Sequence, residues 1–308
     1  MQAEVIRIGQ WNRDEEFAVH PVGSKPKRML TCPLQPGQEG LIPGHSYLFK
    51  TAADWRIHQI WSEAIAYQLG TLVGLNVPRC FIAEDETTGE LGALIEFFFG
   101  YPGEQVTWRL AHGSDLLNLF GKDRTSDRPH SARTNIRLCR MLGVTDAPTW
   151  WGEVFTFDAL IGNTDRHPEN WGFLLATTPE GGGSVEMAPV YDNGTSFGYE
   201  IQQQRLGNMR DVALHRYVER GTHHCGWDDA DGGSIQFAAL CGRLAQSHPE
   251  ALQAMRRVLE FTDEQLEAVL NQCTTLQVES MFTPERAEFV ARLVKARKAC
   301  LLAEFGGD

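Results

Sequence analysis

The chain has 308 residues, of which 42% are hydrophobic and 22% charged, with a net charge of −12. That composition excludes a largely disordered chain, and the acidic balance argues against non-specific binding to nucleic-acid phosphates, which needs a basic surface. No apolar run reaches the roughly 18–20 residues of a membrane-spanning helix, and the first ten residues scatter charges where a signal peptide would carry an apolar core. The expected location is therefore the cytoplasm, with no membrane partner.

In chain order, residues 1 to about 100 read as short β-runs around one strong helix. The runs are Val5–Ile8, Phe17–Val22, Ser46–Thr51, Arg79–Ala83 and Gly92–Phe99. The helix, Trp55 to about Leu72, places Ile57, Ile60, Trp61, Ala64, Ile65, Gln68, Leu69 and Leu72 on one face; Gly74 closes it and Pro78 prevents its return. Beyond Pro102 the pattern turns helical: Asp115–Leu119, Arg133–Leu142 and Pro148–Ile161, the last with proline suited to a helix start. A hairpin follows, Trp171–Ala176 and Val185–Val190, around a turn containing Gly181–Gly183. Helices return at Ile235–Ser247, Pro249–Leu259, Asp263–Gln272 and Pro284–Glu304. The expected class is α+β and bilobal: a small β-rich lobe over residues 1–100, a larger helical lobe over 101–308, and a hinge near Glu96–Gly103.

Seven cysteines, odd in number and without a Cys-x-x-Cys pair, suggest neither a disulfide framework nor a zinc site. Lys25, Lys27 and Arg28 form a small basic patch.

The densest polar segment is Ile161-Gly-Asn-Thr-Asp-Arg-His-Pro-Glu-Asn-Trp-Gly172, set between an apolar helix and a β-run. Gly162 and Pro168 argue for a tight, specific loop. Asp165 and Asn170 have the Asp-x-x-x-x-Asn spacing by which a phosphotransfer loop offers a carboxylate to a hydroxyl and an amide oxygen to Mg²⁺. Ala188-Pro-Val-Tyr-Asp-Asn-Gly194 follows, and Asp192 there has the Asp-x-Gly form of a metal-binding aspartate. At the end of the second hairpin strand, Asp192 is expected to face Asn170. Carboxylate and amide oxygens are hard donors that suit Mg²⁺, which takes its other ligands from water and phosphates. Polar loops of this kind also cap helices and make turns, but the two motifs in this order around a hairpin favour the metal–phosphate reading.

Upstream, Lys50 ends the run Tyr47-Leu-Phe-Lys50, from which an ammonium can reach α/β phosphates, and Glu63 on the following helix could pair with it. A lysine at a strand end and a glutamate on a helix are each ordinarily solvated surface charges. Gly23-Ser-Lys-Pro-Lys27 is a candidate phosphate-covering loop, though with one glycine it reads locally as a plain turn. Glu96, after Ala93-Leu-Ile95, sits where a hinge would present backbone groups to adenine.

Together these residues resemble the HipA family of bacterial serine/threonine kinases, toxins of two-gene toxin–antitoxin systems. The resemblance rests on Gly23 and Lys27, Phe49-Lys50, Ser62-Glu63, Gly74-Leu-Asn-Val-Pro78, Glu96, Asn163 to Asn170, and Pro189-Val-Tyr-Asp192. It implies a bilobal protein-kinase-like fold that uses ATP and Mg²⁺. Asp165 would be the catalytic aspartate, Asn170 and Asp192 the metal ligands, and Lys50 the phosphate anchor. Gly23, Ser24, Lys27, Glu63 and Glu96 would complete the nucleotide site. His167 would orient the loop, unless it is simply a packed histidine, and Arg166 would help neutralise the developing phosphoryl charge.

The resemblance further implies a protein substrate, such as an aminoacyl-tRNA synthetase or other translation factor, and an antitoxin protein as partner. The full-length toxins begin with an extra domain, and this chain starts near the kinase core, as do compact HipT-like members. They also phosphorylate a serine before the Gly-rich loop; here Val19-His20-Pro21 stands there and Ser24 is the nearby hydroxyl. Asp192-Asn-Gly-Thr-Ser-Phe197 is more polar than is usual after the family's Tyr-Asp. Two other functions fit the same residues: a small-molecule phosphotransferase on this scaffold, or a non-catalytic binding module.

Overall fold

A computed structural model describes residues 2–13, 27–52, 54–119, 130–231 and 234–306. Its N-terminal part is a curled six-stranded sheet. Strands β1 (Ile6–Arg7), β2 (Asn12–Arg13), β3 (Lys27–Thr31) and β4 (Ser46–Thr51) precede the helix α1 (His58–Leu72), and β5 (Cys80–Asp85) and β6 (Glu90–Glu96) follow it. The order across the sheet is β1-β5-β6-β4-β3-β2, with β1 parallel to β5 and the other pairs antiparallel. β4 is central and alternates buried Tyr47 and Phe49 with Leu48 and Lys50 on the opposite face, because successive strand side chains point to opposite faces.

The expected run Phe17–Val22 lies outside the described residues. The expected helix start at Trp55 is a 3₁₀ turn, Asp54–Arg56, with α1 beginning at His58. Gly74 does end it, in the left-handed region at φ 72°, where a glycine has no Cβ to clash.

The C-terminal part has β7 (Thr107–His112), α2 (Gly113–Leu119), α3 (Ala132–Met141) and α4 (Ala147–Ile161). The hairpin β8 (Gly172–Thr177) and β9 (Gly183–Met187) comes next, then α5 (Asp211–Arg220), β10 (Thr222–His223) and β11 (Ile235–Gln236). The chain ends with α6 (Phe237–Ser247), α7 (Leu252–Arg257), α8 (Asp263–Thr275) and α9 (Pro284–Glu304). β7, β8 and β9 form a second antiparallel sheet. β2, β3, β7, α5, β10 and β11 were not expected from the sequence. The segment Pro249–Leu259, expected as one helix, is a 3₁₀ turn followed by the short α7.

α4 is the hub of this part and is buried on nearly every side, with Asp158 its one fully buried charge. A helix apolar all round belongs in a core, and α4 packs against α3, α6, α7 and α9. α1 joins the two parts: it packs on β5 and β6 and also on α8, and the Trp61 indole donates to the Ser280 carbonyl (3.1 Å). The class is thus the expected mixture of a β-rich N-terminal part and a mainly helical C-terminal part. No helix among the described residues is long and apolar enough to cross a membrane.

Candidate active site

α4 ends at Gly162, which takes φ 71° and turns the chain into the polar loop. A Cβ at Gly162 would lie 2.6 Å from Arg297 Nη2 on α9, so the turn needs glycine for space as well as for conformation. Asn163 then fastens the loop from inside. Its Nδ2 donates to Asp158 (3.2 Å), and its Oδ1 accepts from the Asp165 amide (3.1 Å) and the Thr195 hydroxyl (2.9 Å). These bonds hold the Asp165 backbone while its side chain stays 42% exposed. His167 lies beside it, Nε2 at 3.8 Å from Asp165 Oδ1, and its Nδ1 accepts from the Glu169 amide (3.2 Å). The Asn170 side-chain NH₂ donates to the Asp165 carbonyl (2.7 Å). With its nitrogen held, Asn170 is left its amide oxygen to offer elsewhere.

Arg166 corrects the sequence expectation. It is fully buried and does not face a cleft, so it cannot reach a phosphoryl group. Its Nε and Nη2 grip Asp158 (3.0 and 2.7 Å), and Nη2 also donates to Asn193 Oδ1 (2.7 Å). Nη1 donates to the Asn170 carbonyl (2.9 Å) and to the Tyr191 carbonyl. One guanidinium therefore ties the Asn170 end of the loop to the residue before Asp192, which uses the fork geometry that only arginine has. Burial would raise the Asp158 pKa, but Arg166 and His223 outweigh it and hold that carboxyl below its ordinary range.

Asp192 adopts φ 57°, unusual for a non-glycine residue. Its Oδ1 is 3.2 Å from Lys50 Nζ, and the same ammonium lies 3.0 Å from Glu63 Oε1. Glu63 Oε2 accepts from the Asn193 amide (3.0 Å). The lysine of β4, the glutamate of α1 and the Asp192–Asn193 turn are thereby one connected unit. Burial alone would lower the Lys50 pKa, but Asp192 and Glu63 outweigh it and keep the ammonium firmly charged.

The other expected residues divide. Lys27 on β3 pairs in register with Lys50, so both side chains share one face of the sheet. Gly23 and Ser24 lie outside the described residues. Glu96 ends β6, but its amide donates to the Arg79 carbonyl (2.8 Å) and its carboxylate accepts from the Tyr101 hydroxyl (2.9 Å). Its backbone donor is thus engaged within the protein, which leaves only its carbonyl for a ligand.

Sequence reasoning missed the supports: Asp158, His130, Tyr191, Asn193 and His223. Tyr191 donates to the Glu169 carbonyl (3.0 Å) and accepts from His112 (2.9 Å). His130 Nε2 donates to the Arg166 carbonyl (2.8 Å), and His223 Nε2 donates to Asp158 (3.1 Å). Tyr191 and Asn193 stood beside Asp192 in its motif without a role of their own, and Asp158 left a signal as an acid inside an otherwise apolar helix end.

Comparison with known proteins decides the family. A model of the HipA-like C-terminal domain matches residues 21–270. The chain belongs to that family. No curated protein sequence matches it. Among solved structures it resembles the proinflammatory kinase CtkA of Helicobacter pylori, with a TM-score of 0.75 at 15% identity over 98% of this chain and 96% of that one. It also resembles HipA in the complex of HipA, HipB and operator DNA from Shewanella oneidensis MR-1. There the TM-score is 0.54 at 16% identity, over 93% of this chain and 65% of that chain. At these identities the likeness is one of fold. The HipA-like chain thus has a kinase-type architecture, with Lys50, Glu63, Asp192 and the Asp165 loop brought together by it.

Proposed function

We propose that this HipA-like protein is an ATP- and Mg²⁺-dependent protein serine/threonine kinase. Its nucleotide would lie between the N-terminal sheet and the Gly162–Asp192 segment, with the lobes meeting near Glu96–Gly103. The observation that carries this reading is the shared ammonium: Lys50 Nζ lies 3.0 Å from Glu63 and 3.2 Å from Asp192, which joins strand, helix and metal-type turn. A lysine ordered in this way on β4 is preset to meet a polyphosphate.

The donor set fits Mg²⁺. Asn170 keeps its amide oxygen available because its nitrogen is held by Asp165, and Asp192 adds a carboxylate. No three His, Cys, Asp or Glu side chains converge on a metal site among the described residues. A metal here would therefore rest on Asn170, Asp192, waters and phosphate oxygens, the mixed set Mg²⁺ prefers. When bound, the ion would supply positive charge against the phosphate oxygens. Lys50 would anchor the phosphates, Lys27 and the Gly23–Ser24 loop would cover them, and the Glu96 carbonyl would border the adenine. Asp165 would orient a serine or threonine hydroxyl and accept its proton as the oxygen bonds to the γ-phosphorus and ADP leaves. His167 and the buried Arg166 would position that carboxylate and the metal ligands. An antitoxin-type protein partner belongs to the same proposal, since the HipA relative is found with HipB.

The test is incubation with γ-labelled ATP and Mg²⁺, alone and with lysate. Label is expected on a protein hydroxyl, and Asp165→Asn should reduce transfer on the order of 10²–10⁴-fold while nucleotide binding stays nearly unchanged. Near-normal transfer by that variant would overturn the assignment. Label on a small metabolite would instead favour a small-molecule phosphotransferase.

A further inference from the structure

Behind Gly162, and lined by neither Lys50 nor Asp192, the C-terminal helices form an open-mouthed cavity of about 360 Å³. Ala159 of α4, Val218 and Glu219 of α5, Phe237 and Ala238 of α6, and Arg297 of α9 line it. Its walls are mostly apolar, yet Arg297 is only 3% exposed. That guanidinium lies over the Phe237 and Tyr217 rings (5.2 and 5.7 Å) and donates to the Ala159 carbonyl at a long 3.3 Å. Tyr217, itself donating to Glu200, is its other polar neighbour. Arg297 Nε has no hydrogen-bond partner, and the acid that acts on the group, Glu200, does so electrostatically while accepting the Tyr217 hydroxyl. Burial outweighs these partners and lowers the Arg297 pKa, so the charge is desolvated with incomplete return.

A second feature points the same way. α6 begins at the cavity, and no side chain caps it. Phe237 donates its amide to the Gly221 carbonyl, but the first turn of a helix presents several amides without intrahelical acceptors, and Phe237 and Ala238 of that turn line the cavity. Helix start and buried guanidinium thus converge on one space, as an anion would require.

We propose that this cavity is a regulatory site for a small organic monocarboxylate with an apolar body. The carboxylate would meet Arg297 and the α6 N-terminus, and the body would pack on Val218 and Phe237. The exposed Glu219 at the mouth disfavours a dianion such as phosphate. Occupancy is felt at the polar loop because the Arg297 guanidinium packs directly on Gly162, three residues before Asp165.

Calorimetric titration of the full chain with benzoate, benzamide and inorganic phosphate tests the site without reference to any activity. Benzoate should bind one to one, and benzamide should bind about tenfold or more weakly, as expected for loss of a charge-assisted bond. Ala238→Leu, which narrows the cavity and keeps Arg297, should abolish benzoate binding while the chain still unfolds cooperatively. Arg297→Lys should weaken it. Hydrogen exchange across 159–165 should slow with benzoate present. Equal binding of benzoate and benzamide, no benzoate binding, tighter binding of phosphate, or an Ala238→Leu variant that binds normally would each overturn the proposal.

Discussion

Asp158 and Arg166 are both fully buried, and their bidentate pair carries the polar loop. Removing one partner of such a pair leaves an unpaired buried charge. Arg166→Met should therefore destabilise the protein by about 3–5 kcal/mol, measured by denaturant unfolding. Asp165→Asn, at a half-exposed position a single residue away, should change stability by less than about 0.5 kcal/mol. This contrast separates a residue that holds the site from one proposed to act in it. The types and spacing of Asp165, Asn170 and Asp192 were legible in the sequence because a loop motif is local. The burial of Arg166 was not, because its partners Asp158, Tyr191 and Asn193 are spread over 36 positions and meet only through folding.

At the scale of elements, β4 and β6 were legible from their apolar runs, and α1 and α9 from helical periodicity and end signals. β3 and β7 were not. Lys27–Thr31 begins with two basic residues, and Thr107–His112 alternates weakly with Trp108 and Arg109 half-buried or exposed. Their strand conformation comes from pairing with β4 and β8 rather than from their own composition. Pairing also sets a close approach at Gly92, where a Cβ would sit 2.6 Å from both the Lys50 carbonyl and the Phe49 ring. Gly92→Ala should therefore push β6 from β4 and cost about 1–3 kcal/mol, seen as a lower unfolding midpoint. It should also weaken the proposed nucleotide binding, since β4, from which β6 would be displaced, carries Lys50.

The whole molecule responds to pH through histidines that fold neutral. Burial pushes His130 down to about 3, opposed by its bond to Arg166 and reinforced by His223 and His224. Burial and then Arg286 lower His58 to about 4. In the unfolded chain both take up a proton near pH 6.5, while the native protein does not. The unfolded state then binds more protons between about pH 6.5 and 4, so stability falls as pH drops through that window. Each histidine should contribute a slope of about 1.4 kcal/mol per pH unit. Unfolding measured from pH 7.5 to 5 should show this loss, and His130→Phe, although less stable overall, should show a shallower slope. Asp158 acts in a separate, lower window: its depressed pKa gives stability present above the ordinary carboxylate range and lost on protonation below it.

The sequence by itself determined the order of β-rich and helical parts, the family, and the identity of the polar loop residues, because periodicity, glycine punctuation and short motifs are properties of neighbours along the chain. Tertiary structure alone decided that Lys50 would lie between Glu63 and Asp192, that Arg166 would turn inward, and that Arg297 would stand behind Gly162. Each of these depends on which distant groups share a low-dielectric interior, where a charge must find its partners in space.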